Sequence, residues 1–150
     1  MDAKIMTTQH LIHIDLVDSE SRIFVGEVEY FVIDAYNGEM GIYPNHAPII
    51  SQLKPGVLRI KLPQEPNHKV FAISGGFLEI SNNQAIILID RLERTDKLDE
   101  VRLIEQKNEA LTKLNNKTET FNPTQTMLDL EIIIAQLKAL QYIKQHPNNC

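Results

Sequence analysis

The chain has 150 residues, 43% of them apolar, with 15 basic and 20 acidic side chains and a formal net charge of −5. That length suits one ordinary domain or two small ones, and the apolar content excludes wholesale disorder. The acidic balance, with no basic patch interleaved with aromatics, argues against a nucleic-acid partner.

In chain order, the N-terminal stretch MDAKIMTTQHLIHIDLVD has no uninterrupted apolar core and no small-residue cleavage site, so no signal peptide is expected. The longest apolar run, AIILI at 85–89, falls far short of the ~20 residues of a membrane span. The one cysteine, Cys150, admits no internal disulfide and suits a reducing compartment. A soluble, cytoplasmic chain able to dock on a membrane assembly is expected.

HIDLVD at 13–18 and VEYFVID at 28–34 alternate branched or aromatic residues with polar ones, the period of a strand. Glu27 and Glu29 are expected to share one strand face as solvated carboxylates. The segment GEMGIYPNHAP at 38–48 concentrates turn formers. It reads as a rigid connector, with φ fixed at Pro44 and Pro48 and left free at Gly38 and Gly41. VLRIKL at 57–62 sets Arg59 and Lys61 opposite Leu58, Ile60 and Leu62. KVFAI, FLEIS and QAIILID follow, separated by turn signals at Pro63–Asn67, Gly75-Gly76 and Asn82-Asn83. The Gly75-Gly76 pair is expected to make a hairpin or bulge. Short strands this regularly punctuated predict an antiparallel sandwich or barrel.

Near residue 90 the composition changes. All six glycines lie at or before Gly76, and residues 91–150 carry nine basic and nine acidic side chains against six and eleven before them. The expected organisation is a β-sandwich domain over 1–90 and a helical hairpin over 91–150. Leu98, Val101, Ile104, Leu111 and Leu114 recur at helical spacing, with Asp96 as N-cap and Asn115-Asn116 as the stop. A second helix starts at Asn122 as N-cap, with Pro123 at the first helical position and Gln125 beyond it. Its stripe is Met127, Leu130, Ile134, Leu137 and Leu140, and it closes before Pro147. Leu103, Leu128, Ile132 and Ile133 lie off these stripes and must rest on the β domain or on a partner.

The candidates for chemistry are few. His10, His13, His46, His68 and His146 show no metal-ligand spacing, and no cysteine cluster accompanies them. No nucleophile elbow, P-loop or dinucleotide fingerprint occurs. The motifs point away from an enzyme, with no catalytic residue and no metal.

GEMGIYPNHAP, KPG at 54–56, SGGFLEI at 74–80 and LDEVR at 98–102 occur in one order. Together they resemble the epsilon subunit of bacterial rotary, F-type ATP synthases. That family has a G-E-x-G-I-Y-P-x-H-A-P segment, a K-P-G turn, an S-G-G-x-x-E-x segment and a two-helix tail, matched here from about Met6 to Lys144. The resemblance implies a sandwich of about ten strands followed by a two-helix hairpin. It implies a non-catalytic rotor subunit in the central stalk of a proton-translocating enzyme, peripheral on the cytoplasmic face of the inner (plasma) membrane. Its partners would be the gamma subunit, the c-ring, and the beta and alpha subunits, with membrane contact only through the complex. The tail would fold on the sandwich or extend into the catalytic hexamer and inhibit ATP hydrolysis.

The same resemblance sets Glu39, Met40 and Gly41 at the c-ring contact, and Tyr43 and His46 near gamma. No cofactor is required. A weak regulatory ATP would meet Leu98, Asp99 and Arg102, with Lys138 where an arginine is often found and Leu103 where an alanine is usual. The other reading of Asp99 and Arg102 is an ion pair on a solvated helix face. Lys107, Lys113, Lys117, Lys138 and Lys144 would meet an acidic segment of beta, or simply form a solvated face. A function of a different class also fits the pattern: a free-standing β-sandwich adaptor that grips a partner with its helical hairpin.

Overall fold

The computed structural model describes residues 10–116 and 122–146. Nine strands come first: β1 Ile12–Val17, β2 Arg22–Val28, β3 Tyr30–Ala35, β4 Gly38–Ile42, β5 Ile49–Lys61, β6 His68–Ile73, β7 Gly76–Ser81, β8 Gln84–Ile89 and β9 Leu92–Arg94. A short 3₁₀ turn, Thr95–Lys97, leads to helix α1, Glu100–Asn115, and then α2, Pro123–Gln145.

The expected strand at 28–34 is broken at Glu29, where β2 ends and β3 begins. Glu27 and Glu29 therefore do not share a face. Glu27 stands on β2, 3.0 Å from His13 Nδ1, and Glu29 reaches Lys61 at 3.3 Å. Pairing is antiparallel with one exception: β1 runs parallel to β8, from His13↔Gln84 to Val17↔Leu88. The sheet is therefore mixed, because these two strands meet from distant parts of the chain and no hairpin dictates their direction.

The two expected turns at KPG and SGG are one structure. β5 pairs with β6 from Lys61↔His68 to Gly56↔Ile73, and with β7 from Leu53↔Gly76 to Ile49↔Ile80. The register is unbroken, and the residues skipped are Lys54-Pro55 on one side and Ser74-Gly75 on the other. The next strand pair repeats the gap: β7 holds Gly76↔Ile89, β6 holds Ile73↔Leu92, and Asp90-Arg91 lie between. The Ser74 N–H donates to Arg91 O at 3.0 Å, and the Asp90 N–H to Gly75 O at 3.1 Å, closing the bend. KPG is thus a bend within β5, where Pro55 has no N–H to lose from the ladder. Gly75-Gly76 is the matching corner, not a hairpin. Both glycines have positive φ, +131° and +147°.

Folding at this corner gives two layers, β2-β1-β8-β7 with the first half of β5, and β4-β3 with the second half of β5, β6 and β9. Between them lie Ile12, Ile14, Leu16, Phe31, Ile33, Leu58, Ile60, Leu78, Ile80 and Ile87, all at most 1% exposed.

The cap of α1 is Asp99, not Asp96; Asp96 falls in the 3₁₀ turn, while Asp99 Oδ1 accepts the Arg102 N–H at 3.3 Å. The start of α2 is as expected, with Asn122 accepting from the Gln125 N–H at 3.2 Å. The expected apolar stripes are buried only in part: Leu98, Leu114, Leu130, Leu137 and Leu140 are half-buried. The buried side chains are Leu103 and Ala110 on α1, and Ala135 and Ala139 on α2. Val101, Ile104, Leu111, Met127 and Ile134 face solvent. Small alanines let the helices approach their neighbours closely, which turns the larger residues to the flanks.

Candidate functional site: the two outer faces of the sandwich

One outer face is covered. α2 lies on β5 and β6, where Ala139, Tyr142 and Ile143 pack on Val57, Val70 and Ala72. At its centre stands Asp34, 5% exposed and the one buried charged residue among those described. Its Oδ2 accepts the Val57 N–H at 2.9 Å and Lys138 Nζ of α2 at 3.2 Å. Gly56 makes room for it, since a Cβ there would stand 2.4 Å from that oxygen.

Beside the ion pair runs a row of rings. Tyr43 stacks on Tyr30 at 5.1 Å, and the Tyr30 hydroxyl lies 2.8 Å from His68 Nε2. His68 meets Tyr142 edge-on at 6.5 Å, and Tyr142 stacks on His146 at 4.3 Å. Burial pushes the Tyr30 phenol above its ordinary pKa, with Tyr43 and Tyr142 adding to the effect. The Arg59 guanidinium sits 4.7 Å over the Tyr142 ring while reaching Glu39 at 3.6 Å.

The segment 38–48 divides in two. Gly38–Ile42 is the edge strand β4, paired only with β3 among the described residues, so it is not a loop. Along it Glu39 points to the Arg59 and α2 side, Met40 packs toward the core with Ser51 Oγ 3.8 Å from its sulfur, and Gly41 is exposed. The β3–β4 hairpin tip is Tyr36-Asn37, just ahead of Glu39, Met40 and Gly41. The turn proper follows β4. The His46 N–H donates to Tyr43 O at 3.2 Å, and its ring Nδ1 lies 2.7 Å from Ala47 O. Asn45, at φ +63°, donates its N–H to Asn83 Oδ1 at 2.8 Å, pinning the turn to the β7–β8 loop.

The other outer face is uncovered among the described residues and carries an exposed apolar patch. Phe77 and Leu88 pair across β7 and β8, and the neighbouring row runs Ile50, Glu79, Ile86, Asp15 and Val25, three apolar side chains with two carboxylates between them. Ile50 is 79% exposed, Phe77 53% and Leu88 52%. An exposed apolar patch of this kind marks an interface. None of these residues was among the expected contacts, yet AIILI carries the signal: it is apolar in both phases of the strand period, so both faces need cover.

The tail residues are spread. Leu98, Asp99 and Arg102 flank the start of α1, and Asp99 is used as a cap, not in an ion pair with the Arg102 guanidinium. Lys138 stands on the other helix, in a cavity of about 340 Å³ shared with Glu39, Arg59 and Tyr142; Leu98, Asp99 and Arg102 do not line it. Lys144 pairs with Glu100 across the two helices. Lys113 lines a cavity of about 450 Å³ between α1 and α2, Lys107 is half-buried, and Lys117 lies outside the described residues.

The family model for the ATP synthase delta/epsilon chain β-sandwich domain matches residues 11–95. The chain is 37% identical over 132 residues to the ATP synthase epsilon chain of Chromobacterium violaceum, covering 88% of this chain and 94% of that one. This chain belongs to the ATP synthase epsilon family. Its relatives are non-catalytic subunits of the ATP synthase complex. A chain in the Euglena gracilis mitochondrial ATP synthase superposes on this epsilon chain with a TM-score of 0.80 at 25% identity, over 87% of this chain and 82% of that one. A chain of the Tetrahymena thermophila central stalk and c-ring shares the fold, with a TM-score of 0.61 at 12% identity over 89% and 99%. Among the described residues of this epsilon chain, no helix is long and apolar enough to cross a membrane.

Proposed function

We propose that the chain is a rotor subunit of the central stalk of a proton-translocating F-type ATP synthase. It couples the c-ring to the catalytic hexamer and restrains ATP hydrolysis through its helical tail. In this reading the bare face and the Tyr43–His46 turn dock on gamma, and β4 with Glu39, Met40 and Gly41 meets the c-ring. α1 and α2 leave the sandwich to reach beta and alpha, carrying Lys107, Lys113, Lys117, Lys138 and Lys144 to an acidic segment. The subunit works peripherally on the cytoplasmic face of the inner membrane and requires no cofactor. Lys138 joins Leu98, Asp99 and Arg102 at a nucleotide only by giving up Asp34, so regulatory ATP binding is weak.

The observation that carries this reading is the asymmetry of the sandwich. One face carries an open apolar patch, as a permanent docking surface does, while the other holds a helix through one turn of packing at Ala139, Tyr142 and Ile143 and a single ion pair. A contact so small is replaceable by another of similar size, which is what a two-position tail requires.

Truncation after Arg94 tests the tail. ATP hydrolysis by the reconstituted soluble complex is expected to rise severalfold with assembly retained, and unchanged hydrolysis would overturn the inhibitory assignment. The open face has its own test. Phe77→Asp with Leu88→Asp sets charges at the centre of the patch without touching the core, and affinity for gamma is expected to fall at least about a hundredfold. Retained affinity would place the gamma contact elsewhere.

A further inference from the structure

Two sheet edges fail to meet beneath the tail. β2 is paired only with β1 among the described residues. β6 is covered by β9 only from Phe71 to Ile73, leaving His68–Val70 open on that side among the described residues. Between these edges lies a cavity of about 490 Å³, within the usual range for small-ligand sites, about 300–1,000 Å³. Its sheet walls are Ile23, Phe24, Val70 and Phe71, with His68 at the end of β6, and α2 closes it with Leu140 and Ile143. At the mouth stand Lys69, Arg94 and Asp96. None of the three enters an ion pair among the described residues, so the mouth carries two cations and one carboxylate. The cavity shares no residue with Leu98, Asp99, Arg102 or Lys138.

Apolar walls select an apolar body, and the excess of cations at the mouth selects a negative head, bonded by charge-assisted hydrogen bonds from Lys69 and Arg94. We propose that this seam binds a single-chain amphiphilic carboxylate, its head on Lys69 and Arg94 and its chain against Phe24, Phe71 and Leu140. Because one wall is sheet and the other is α2, such a ligand binds only the docked tail and shifts the population toward it. The binding is independent of the rotor assignment; its effect on the tail rests on that assignment.

The full chain titrated with decanoate, followed by methyl resonances, tests this. Saturable shifts are expected at Ile23, Val70, Leu140 and Ile143, with Ile104 and Ile134 unmoved. Affinity is expected to fall at least tenfold in K69Q/R94Q and for uncharged decanol. These two side chains are exposed, so the variant keeps its fold. No saturable shift, equal binding of decanol, equal binding by the variant, or shifts spread to Ile104 and Ile134 would each overturn the site. At saturation, amide exchange in α2 is expected to slow severalfold. Unchanged exchange with binding intact would overturn the effect on the tail and leave both the site and the rotor assignment standing.

Discussion

Gly76→Ala is expected to unfold the sandwich. A Cβ at this position would stand 2.0 Å from the Leu88 carbonyl oxygen and 3.0 Å from Ile89 Cα, in a backbone at φ +147°. Both obstacles are backbone atoms of the paired strand, so no rotamer change relieves them. Strain at such a φ costs roughly 1–3 kcal/mol, and breaking the ladder beside it takes the loss beyond about 4 kcal/mol, a large part of the 5–15 kcal/mol that holds a domain together. Urea denaturation should show the midpoint falling sharply or no folded baseline at all. Gly75→Ala is the internal control. Its φ of +131° carries strain too, but the nearest contact is 3.4 Å, to Leu53 O, so its effect is smaller. Equal midpoints for wild type and Gly76→Ala would mean that the corner yields.

Asp34→Ala is expected to have the largest effect on the covered face. The buried Val57 N–H loses its acceptor, at a cost of about 1–3 kcal/mol, and Lys138 loses its anchor in the same step. Stability of the sandwich and amide protection in α2 should therefore fall together. Lys138→Met separates the two. It keeps the Val57 bond, and Lys138 is 55% exposed, so the lost pair weakens α2 docking by no more than about 1 kcal/mol. Gly56→Ala should reproduce Asp34→Ala by driving that carboxylate from its place. If α2 exchanges at the wild-type rate in both Asp34→Ala and Lys138→Met, the ion pair does not hold the tail.

What the sequence made legible follows the range of the interactions. Strand alternation in HIDLVD and FLEIS, and the start of α2 at Asn122-Pro123-Thr124-Gln125, are settled by neighbours in the chain and read correctly. The corner is not of that kind. KPG and SGG look like two separate turns until the register Gly56↔Ile73 and Leu53↔Gly76 is known, and register is a property of pairs. The helical stripes misled for a related reason. Periodicity finds the largest apolar face, whereas Ala135 and Ala139 are buried because close approach of a helix to its neighbours favours small side chains. Glu39 was set at a contact by resemblance alone. That it faces Arg59, and through Arg59 the tail, depends on which side of β4 the sandwich turned toward α2.

The corner where Lys54-Pro55, Ser74-Gly75 and Asp90-Arg91 lie side by side has a mechanical consequence. Three neighbouring backbones run without interruption from one layer into the other. A load on the open face therefore reaches the tail-bearing face through peptide bonds as well as through packed side chains. Sliding one layer over the other would stretch covalent chain along the whole corner. The remaining compliance is a change in the angle between the layers, and the close-packed core resists that by having to open.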